Sequence, residues 1–284
     1  MNHLKPWILG ARPKTLPAAI APVVVASAYA GERFTMVTAF AALVVGISLQ
    51  VAVNYANDYS DGIRGTDKDR VGPLRLVGGG VKSAQSVRRA AYLSFAVAII
   101  AGSYLAFTTS YWLFAIGVAA IVAAWKYTGG ERPYGYQGFG EISVFIFFGL
   151  VATVGTFYVQ TQEIDLTIVL IGCAMGAIAC GILLLNNIRD IETDKVAGKK
   201  TLSVRIGMSS SLILYWLLIA SAVVIFMVVT GFPWLLLIVL STPLLVKLRG
   251  GLRTRAWLPA LEATGRFQLL YATLLSLALV LSVR

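Results

Sequence analysis

The sequence predicts an all-α membrane protein, a single polytopic domain over residues 1–284 with nine transmembrane helices. Three observations lead there. Hydrophobic residues make up 58% of the chain and charged ones 13%, with a mean hydropathy of +0.78, a balance that suits a helical bundle in lipid and not a soluble domain. Apolar windows of bilayer-spanning length recur along the chain, and they are continuous rather than alternating, which excludes barrel strands. The basic residues fall almost wholly on one set of connections.

The windows, in order, are 15–31, 36–57, 89–108, 111–127, 140–161, 166–187, 209–230, 232–247 and 266–283. The N-terminal segment lacks the small-residue cleavage site of a signal peptide, so its apolar part is read as a retained first helix. With nine crossings, the N-terminus, 58–88, 128–139, 188–208 and 248–265 share one side and, with the adjoining helix ends, carry 22 of the 24 Lys and Arg. The other side keeps Arg33 and Arg284. By the positive-inside rule the N-terminus is cytoplasmic and the protein is a multi-pass protein of the cell membrane. The net charge of +11 then reflects topology and contact with lipid, not nucleic acid. Connections on the outer side are short, as at 31–35 and 108–110, whereas 58–88 and 188–208 are long, and long loops tend to carry function. Gly78-Gly79-Gly80 marks a mobile segment, a lid or a plain linker. Cys173 and Cys180 stand seven residues apart, about 10 Å along a helix, too far for a disulfide. The single His3 excludes a multi-histidine metal site.

Two acidic stretches, each following a long apolar run, carry the chemistry. Asn54, Asn57, Asp58 and Asp61 lie on one helix face, with Asp67 and Asp69 following after Gly62 and Gly65. Asn186, Asp190 and Asp194 repeat the pattern at spacings of four, with Asn187 beside them. The echo at helices two and six suggests an internal duplication whose halves meet at a shared site. Crowded carboxylates repel without a cation. Carboxylate and amide oxygens, with no Cys or His near, suit Mg²⁺, which is usually shared between a few carboxylates and substrate phosphates. Two such rows facing each other point to a metal-bridged diphosphate; the bland alternative is a solvated juxtamembrane loop. Basic residues on the same side, among them Lys14, Arg64, Arg75, Lys126, Lys195 and Lys199, include candidates to grip that diphosphate and steady it as a leaving group, although each also satisfies the topology rule alone. The stretch YTGGERPYGYQGFGE at 127–141, with Tyr127, Tyr134 and Tyr136, forms either an aromatic wall for a flat substrate or an interfacial belt.

Five segments resemble the UbiA superfamily of intramembrane prenyltransferases, and within it the menaquinone-pathway branch: RPKTLPAAIAPV at 12–23, NDYSDGIRGTD at 57–67, DRVGPLRLV at 69–77, YTGG and GYQGFGE within 127–141, and NNIRDIETDKVAGKKTLSVRIG at 186–207. The superfamily's first motif, Asn-x3-Asp-x3-Asp, fits Asn57 and Asp61, but position 65 is Gly and the next acid is Asp67, a longer spacing that is typical of that branch. The second motif fits Asn186, Asp190 and Asp194. The resemblance implies nine helices around a central cavity and transfer of a polyprenyl group from polyprenyl diphosphate to 1,4-dihydroxy-2-naphthoate with loss of CO₂. It also implies Mg²⁺ held by Asn57, Asp58, Asp61 and Asp67 on one side and by Asn186, Asp190 and Asp194 on the other. In that reading Asp61, Asp190, Lys199 and Arg64 are catalytic, and Asn57, Asn186, Lys14, Lys126, Tyr127, Tyr134, Arg75 and Lys195 bind substrate. The alternatives are another aromatic acceptor such as 4-hydroxybenzoate, or a transporter, in which ionisable groups tend to lie near the bilayer midplane.

Overall fold

The computed structural model describes residues 4–66, 74–231, 234 and 241–282. Among the described residues all regular structure is helical. A short α1 (Lys5–Gly10) leads through a tight turn at Pro13–Thr15 into α2 (Pro17–Tyr29), and the chain bends by 54° between them. Proline at the start of each element costs nothing there, because the first helical N–H groups have no intrahelical partner. Then α3 (Met36–Arg64) runs to Gly65, whose left-handed φ of 73° ends the helix. The first Asn/Asp row is thus the last turns of a continuous helix, seven residues beyond the apolar window, and the 58–88 connection is shorter than the hydropathy suggests.

Next come α4 (Ala84–Thr108), capped by Ser83, and α5 (Leu113–Lys126). A turn at Tyr134–Gln137 precedes α6 (Gly140–Thr161), which contains a π-helical stretch at Phe145–Val151. Asp165 caps α7 (Leu166–Arg189) by accepting from the Ile168 amide at 2.8 Å. The expected loop 188–208 is largely helical: α8 (Ile191–Val196) and the first turn of α9 (Leu202–Thr230) occupy it. Non-helical φ and ψ at Gly207 break α9 two residues before the apolar window starts. The chain ends with α10 (Thr242–Arg253) and α11 (Trp257–Ser282), which begins nine residues before its window.

Six of these helices are long and apolar enough to cross a membrane: α3, α4, α6, α7, α9 and α11. The bent α1–α2 pair makes a seventh if it counts as one span, and α5 is apolar but shorter. Half of the window 232–247 lies outside the described residues, and its last part is the start of α10. In the middle stands α7, with 78% of its most apolar window buried against 22–28% in α3, α4, α6 and α9. Its neighbours pack through small residues, the usual device where lipid offers no hydrophobic drive between helices. A Cβ on Gly149 of α6 would sit 2.5 Å from the Gly176 Cα of α7. Gly149→Ala is therefore expected to destabilise by about 1–3 kcal/mol through overpacking, read as a lower unfolding temperature in detergent, with an unchanged temperature counting against this contact. Buried hydroxyls tie the remaining helices: Tyr215 to Thr264 at 2.9 Å, and Tyr271 donating to the Ala222 carbonyl at 2.6 Å. Cys173 and Cys180 are free thiols, as their spacing requires.

Candidate active site

On α3, Gln50, Asn54, Asn57 and Asp61 recur at spacings of four, three and four, so they form one stripe. Asp58 lies beside it and does something the spacing does not announce. Its two oxygens accept the backbone amides of Leu76 at 2.8 Å and Val77 at 2.9 Å. That fastens the returning chain to α3 and buries Leu76 completely. Residues 75–82 accordingly form a packed turn, with the Val81 and Lys82 amides both donating to the Leu76 carbonyl at 2.9 Å. The triple glycine is built into this turn: a Cβ on Gly79 would lie 2.6 Å from the Arg75 carbonyl oxygen, and Gly80 has φ 67°. The turn carries Arg75 inward, where its Nη2 lies 3.9 Å from Asp61 Oδ2.

The second row is bent around the junction of α7 and α8. Asp190 ends α7 and is gripped at both oxygens, each at 2.7 Å, by the guanidinium of Arg189. Asp194 follows one turn later, its amide donating to the Asp190 carbonyl at 2.8 Å. Gly198, with φ 72°, reverses the chain and returns Lys199 over the row. The Lys199 ammonium lies 3.4 Å from Asp61 Oδ1 and 3.9 Å from Asp194 Oδ1. One nitrogen within reach of a carboxylate from each row brings the two rows together. Asp58, Asp61, Asp190, Asp194, Arg75 and Lys199 are all buried, and these cations offset charges that would be costly to bury alone.

A third wall comes from the Tyr134–Gln137 turn. Tyr136 donates its phenol to Asp61 Oδ1, and its ring lies 4.6 Å from Lys199 Nζ and 5.4 Å from the Arg64 Cζ. Burial, and secondarily the charge of Asp61, raise the Tyr136 phenol well above its ordinary pKa, so it stays a proton donor at any working pH. The turn is tied to the chain after α8: the Lys200 amide donates to the Tyr136 carbonyl at 2.7 Å, and Arg205 donates to the Lys200 and Gln137 carbonyls at 3.0 and 2.8 Å. Arg64 spends its guanidinium on the carbonyls of Thr128 and Gly130, while the Thr128 hydroxyl donates to Asn57 Oδ1 at 2.8 Å.

Next to these walls lies a cavity of about 300 Å³. Asn57, Asn186, Tyr127 and Tyr134 line its polar parts, and apolar side chains of α2 to α7 line the rest. Tyr134 is fixed by its hydroxyl to the Ala123 carbonyl and to Ser143, both at 2.8 Å. Three residues expected to bind substrate stand apart. Lys14 is exposed and paired with Glu262 at 3.1 Å, Lys195 is exposed and paired with Glu192 at 3.0 Å, and Lys126 is exposed at the end of α5. Asp67 lies outside the described residues. Conversely, Tyr136 belongs to the site although only its position in a Gly-rich aromatic stretch signalled it, and Thr128 was signalled only as part of the YTGG segment.

The donor set is of hard oxygens, the kind Mg²⁺ prefers. Among the described residues no group of three acidic, Cys or His side chains converges. A metal here fits as Mg²⁺ commonly does, with one or two carboxylates and the remaining positions filled by phosphate oxygens and water.

An oxygen-lined polar head beside a partly open apolar cavity, among helices of membrane-spanning length, suits a molecule with a charged head and an apolar tail. The profile of the UbiA prenyltransferase family matches residues 19–256, and the chain belongs to that family. It is 45% identical over 279 residues to 1,4-dihydroxy-2-naphthoate octaprenyltransferase of Mycobacterium tuberculosis, covering 96% of each chain. With the protein of the same name from Escherichia coli it shares 36% identity over 260 residues, 87% of this chain and 84% of that one. Among solved structures, the apo UbiA homologue of Aeropyrum pernix superposes with a TM-score of 0.71 at 16% identity, over 96% of this chain and 99% of that one. The UbiA homologue of Archaeoglobus fulgidus bound to DMAPP and Mg²⁺ gives 0.61 at 16% identity, over 96% and 98%. At such identities the likeness is one of fold.

Proposed function

We propose that this chain transfers a polyprenyl group from polyprenyl diphosphate to 1,4-dihydroxy-2-naphthoate, releasing diphosphate and CO₂ and forming demethylmenaquinol. The observation that carries the reading is the placement of Lys199 between Asp61 and Asp194, beside an apolar cavity. The relatives at 36–45% identity carry the name of this reaction and support the choice of acceptor. The same reading keeps nine spans, a cytoplasmic N-terminus and a cytoplasm-facing site in the cell membrane, supported by the 22 basic residues on one set of connections and their adjoining helix ends.

One Mg²⁺ would be held by Asp61 with the amide oxygen of Asn57, and a second by Asp190 and Asp194 with the amide oxygen of Asn186. The metal's contribution, when bound, is to neutralise charge on the departing diphosphate. Lys199 and Arg75 supply fixed positive charge for the same oxygens. Tyr136, proton in place, orients Asp61. Arg64 holds the 128–130 turn, so that Thr128 can orient Asn57. The allylic C–O bond breaks with its electron pair leaving on diphosphate. Apolar cavity walls keep water from the resulting cation. A ring carbon of the electron-rich acceptor bonds to the allylic carbon, and loss of CO₂ returns a bonding pair to the ring and restores aromaticity. Tyr127 and Tyr134 form the wall against which a flat ring rests.

Purified protein given Mg²⁺, dihydroxynaphthoate and a series of polyprenyl diphosphates is expected to yield a prenylated, decarboxylated lipid by mass, and chelation of the metal to bring the rate to background. Absence of that product, or preference for 4-hydroxybenzoate over dihydroxynaphthoate, counts against the reading.

A further inference from the structure

One conspicuous cavity residue has no task in prenyl transfer as described above. Arg12 joins α1 to the Pro13–Thr15 turn with φ 53° and ψ 68°, a left-handed backbone that a non-glycine residue adopts only when its surroundings impose it. Those surroundings are visible. The Arg12 amide donates to the Leu9 carbonyl at 3.1 Å, and the Arg12 carbonyl accepts from both the Thr15 amide and the Thr15 hydroxyl at 2.9 Å. The turn is then clamped to α3. Gln50 donates to the Thr15 hydroxyl at 2.9 Å, and Asn54 donates to it at 3.2 Å and to the Ala11 carbonyl at 2.8 Å. The result of this scaffolding is that the Arg12 side chain lines the cavity. The residue is half-buried, its Nη2 is buried without a hydrogen-bond partner, and no carboxylate among the described residues pairs with it. A charged donor kept from water and left without an acceptor is costly, so it is retained where a ligand supplies the acceptor.

We infer that Arg12 receives the carboxylate of the aromatic acceptor. This rests on the dihydroxynaphthoate reading above. Two anions enter such a site, the donor's diphosphate and the acceptor's carboxylate, and both suit a guanidinium. Position separates them. The partners that hold the Arg12 turn, Asn54 and Gln50, precede Asp61 by seven and eleven residues, roughly 10 and 16 Å along the axis of α3. The diphosphate belongs with Asp61, Arg75 and Lys199 at the other end of that stripe. A planar fork also matches a planar carboxylate in two parallel hydrogen bonds, which fixes the orientation of the ring as well as its charge.

The test is steady-state kinetics of the full-length enzyme and its Arg12→Gln variant, with each substrate varied in turn and 1,4-dihydroxynaphthalene, which lacks the carboxylate, as competitor. Arg12→Gln is expected to raise KM for dihydroxynaphthoate about tenfold or more. KM for the polyprenyl diphosphate and the inhibition constant of the diol should stay within about twofold, the ordinary scatter of such constants and well under the effect of one charge-assisted hydrogen bond. A rise in donor KM instead assigns the arginine to diphosphate and overturns the inference. An unchanged acceptor KM, or equal weakening of the diol, overturns it too. Arg12→Lys, which keeps the charge and loses the fork, guards against a variant that does not fold: it should show the same split at smaller size, and wild-type constants for it overturn the inference. Failure of the functional reading is separate, since the wild-type enzyme would then make no product from dihydroxynaphthoate at all.

Discussion

Asp61→Asn is expected to lower kcat on the order of a thousandfold while the protein still folds. The asparagine is isosteric, so its carbonyl oxygen can still accept from the Tyr136 hydroxyl. What it removes is the charge that Arg75 and Lys199 both face. Lys199 keeps Asp194 as a partner, which limits the damage to stability. The variant should therefore unfold near the wild-type temperature, need more Mg²⁺ and turn over slowly even with both substrates saturating. Undiminished turnover in purified Asp61→Asn would remove the carboxylate from the chemistry.

Lys199→Met should cost about a hundredfold to a thousandfold in kcat, the usual effect of deleting one fixed positive group aimed at developing negative charge. Its signature differs from that of Asp61→Asn. With the ammonium gone, Asp61 and Asp194 face each other without the cation between them, and like charges at short range bind a divalent ion more tightly. Lys199→Met is thus expected to reach half-maximal rate at lower Mg²⁺ than the wild type, where Asp61→Asn requires more. Equal shifts in the same direction would show that the lysine does not sit between the rows in the working enzyme.

The two Asn/Asp rows were readable because helical periodicity is local: side chains three and four apart share a face whatever else the chain does. Their mutual approach was an expectation from chemistry, and the shared Lys199 contact supports it. The basic residues were not separable by the same means. Topology places nearly every Lys and Arg on one side, so Arg75 and Lys199, which reach Asp61, look no different in sequence from Lys14, Lys126 and Lys195, which remain at the surface. Burial decides, and burial depends on long-range packing: Asp58 pulling in the 75–82 turn, Gly198 reversing the chain onto α8. Helix ends were misjudged for a related reason. Hydropathy windows end where polar residues start, but α3 and α7 carry their polar rows as further helical turns, and α9 and α11 begin before their apolar stretches. Arg12 was visible only as one basic residue in a motif, since its partners on α3 stand about forty residues away.

The wide-turned stretch at Phe145–Val151 sets the angular phase of everything that follows it on α6. Converting it to ordinary α geometry with every residue kept would swing the far half of that helix by about 100° about its axis. Gly155 and Thr156, which now border the cavity, would then point elsewhere, while Gly149 could no longer nest against Gly176. A change of helical pitch there, with no polar residue touched, would thereby reshape one apolar wall of the cavity.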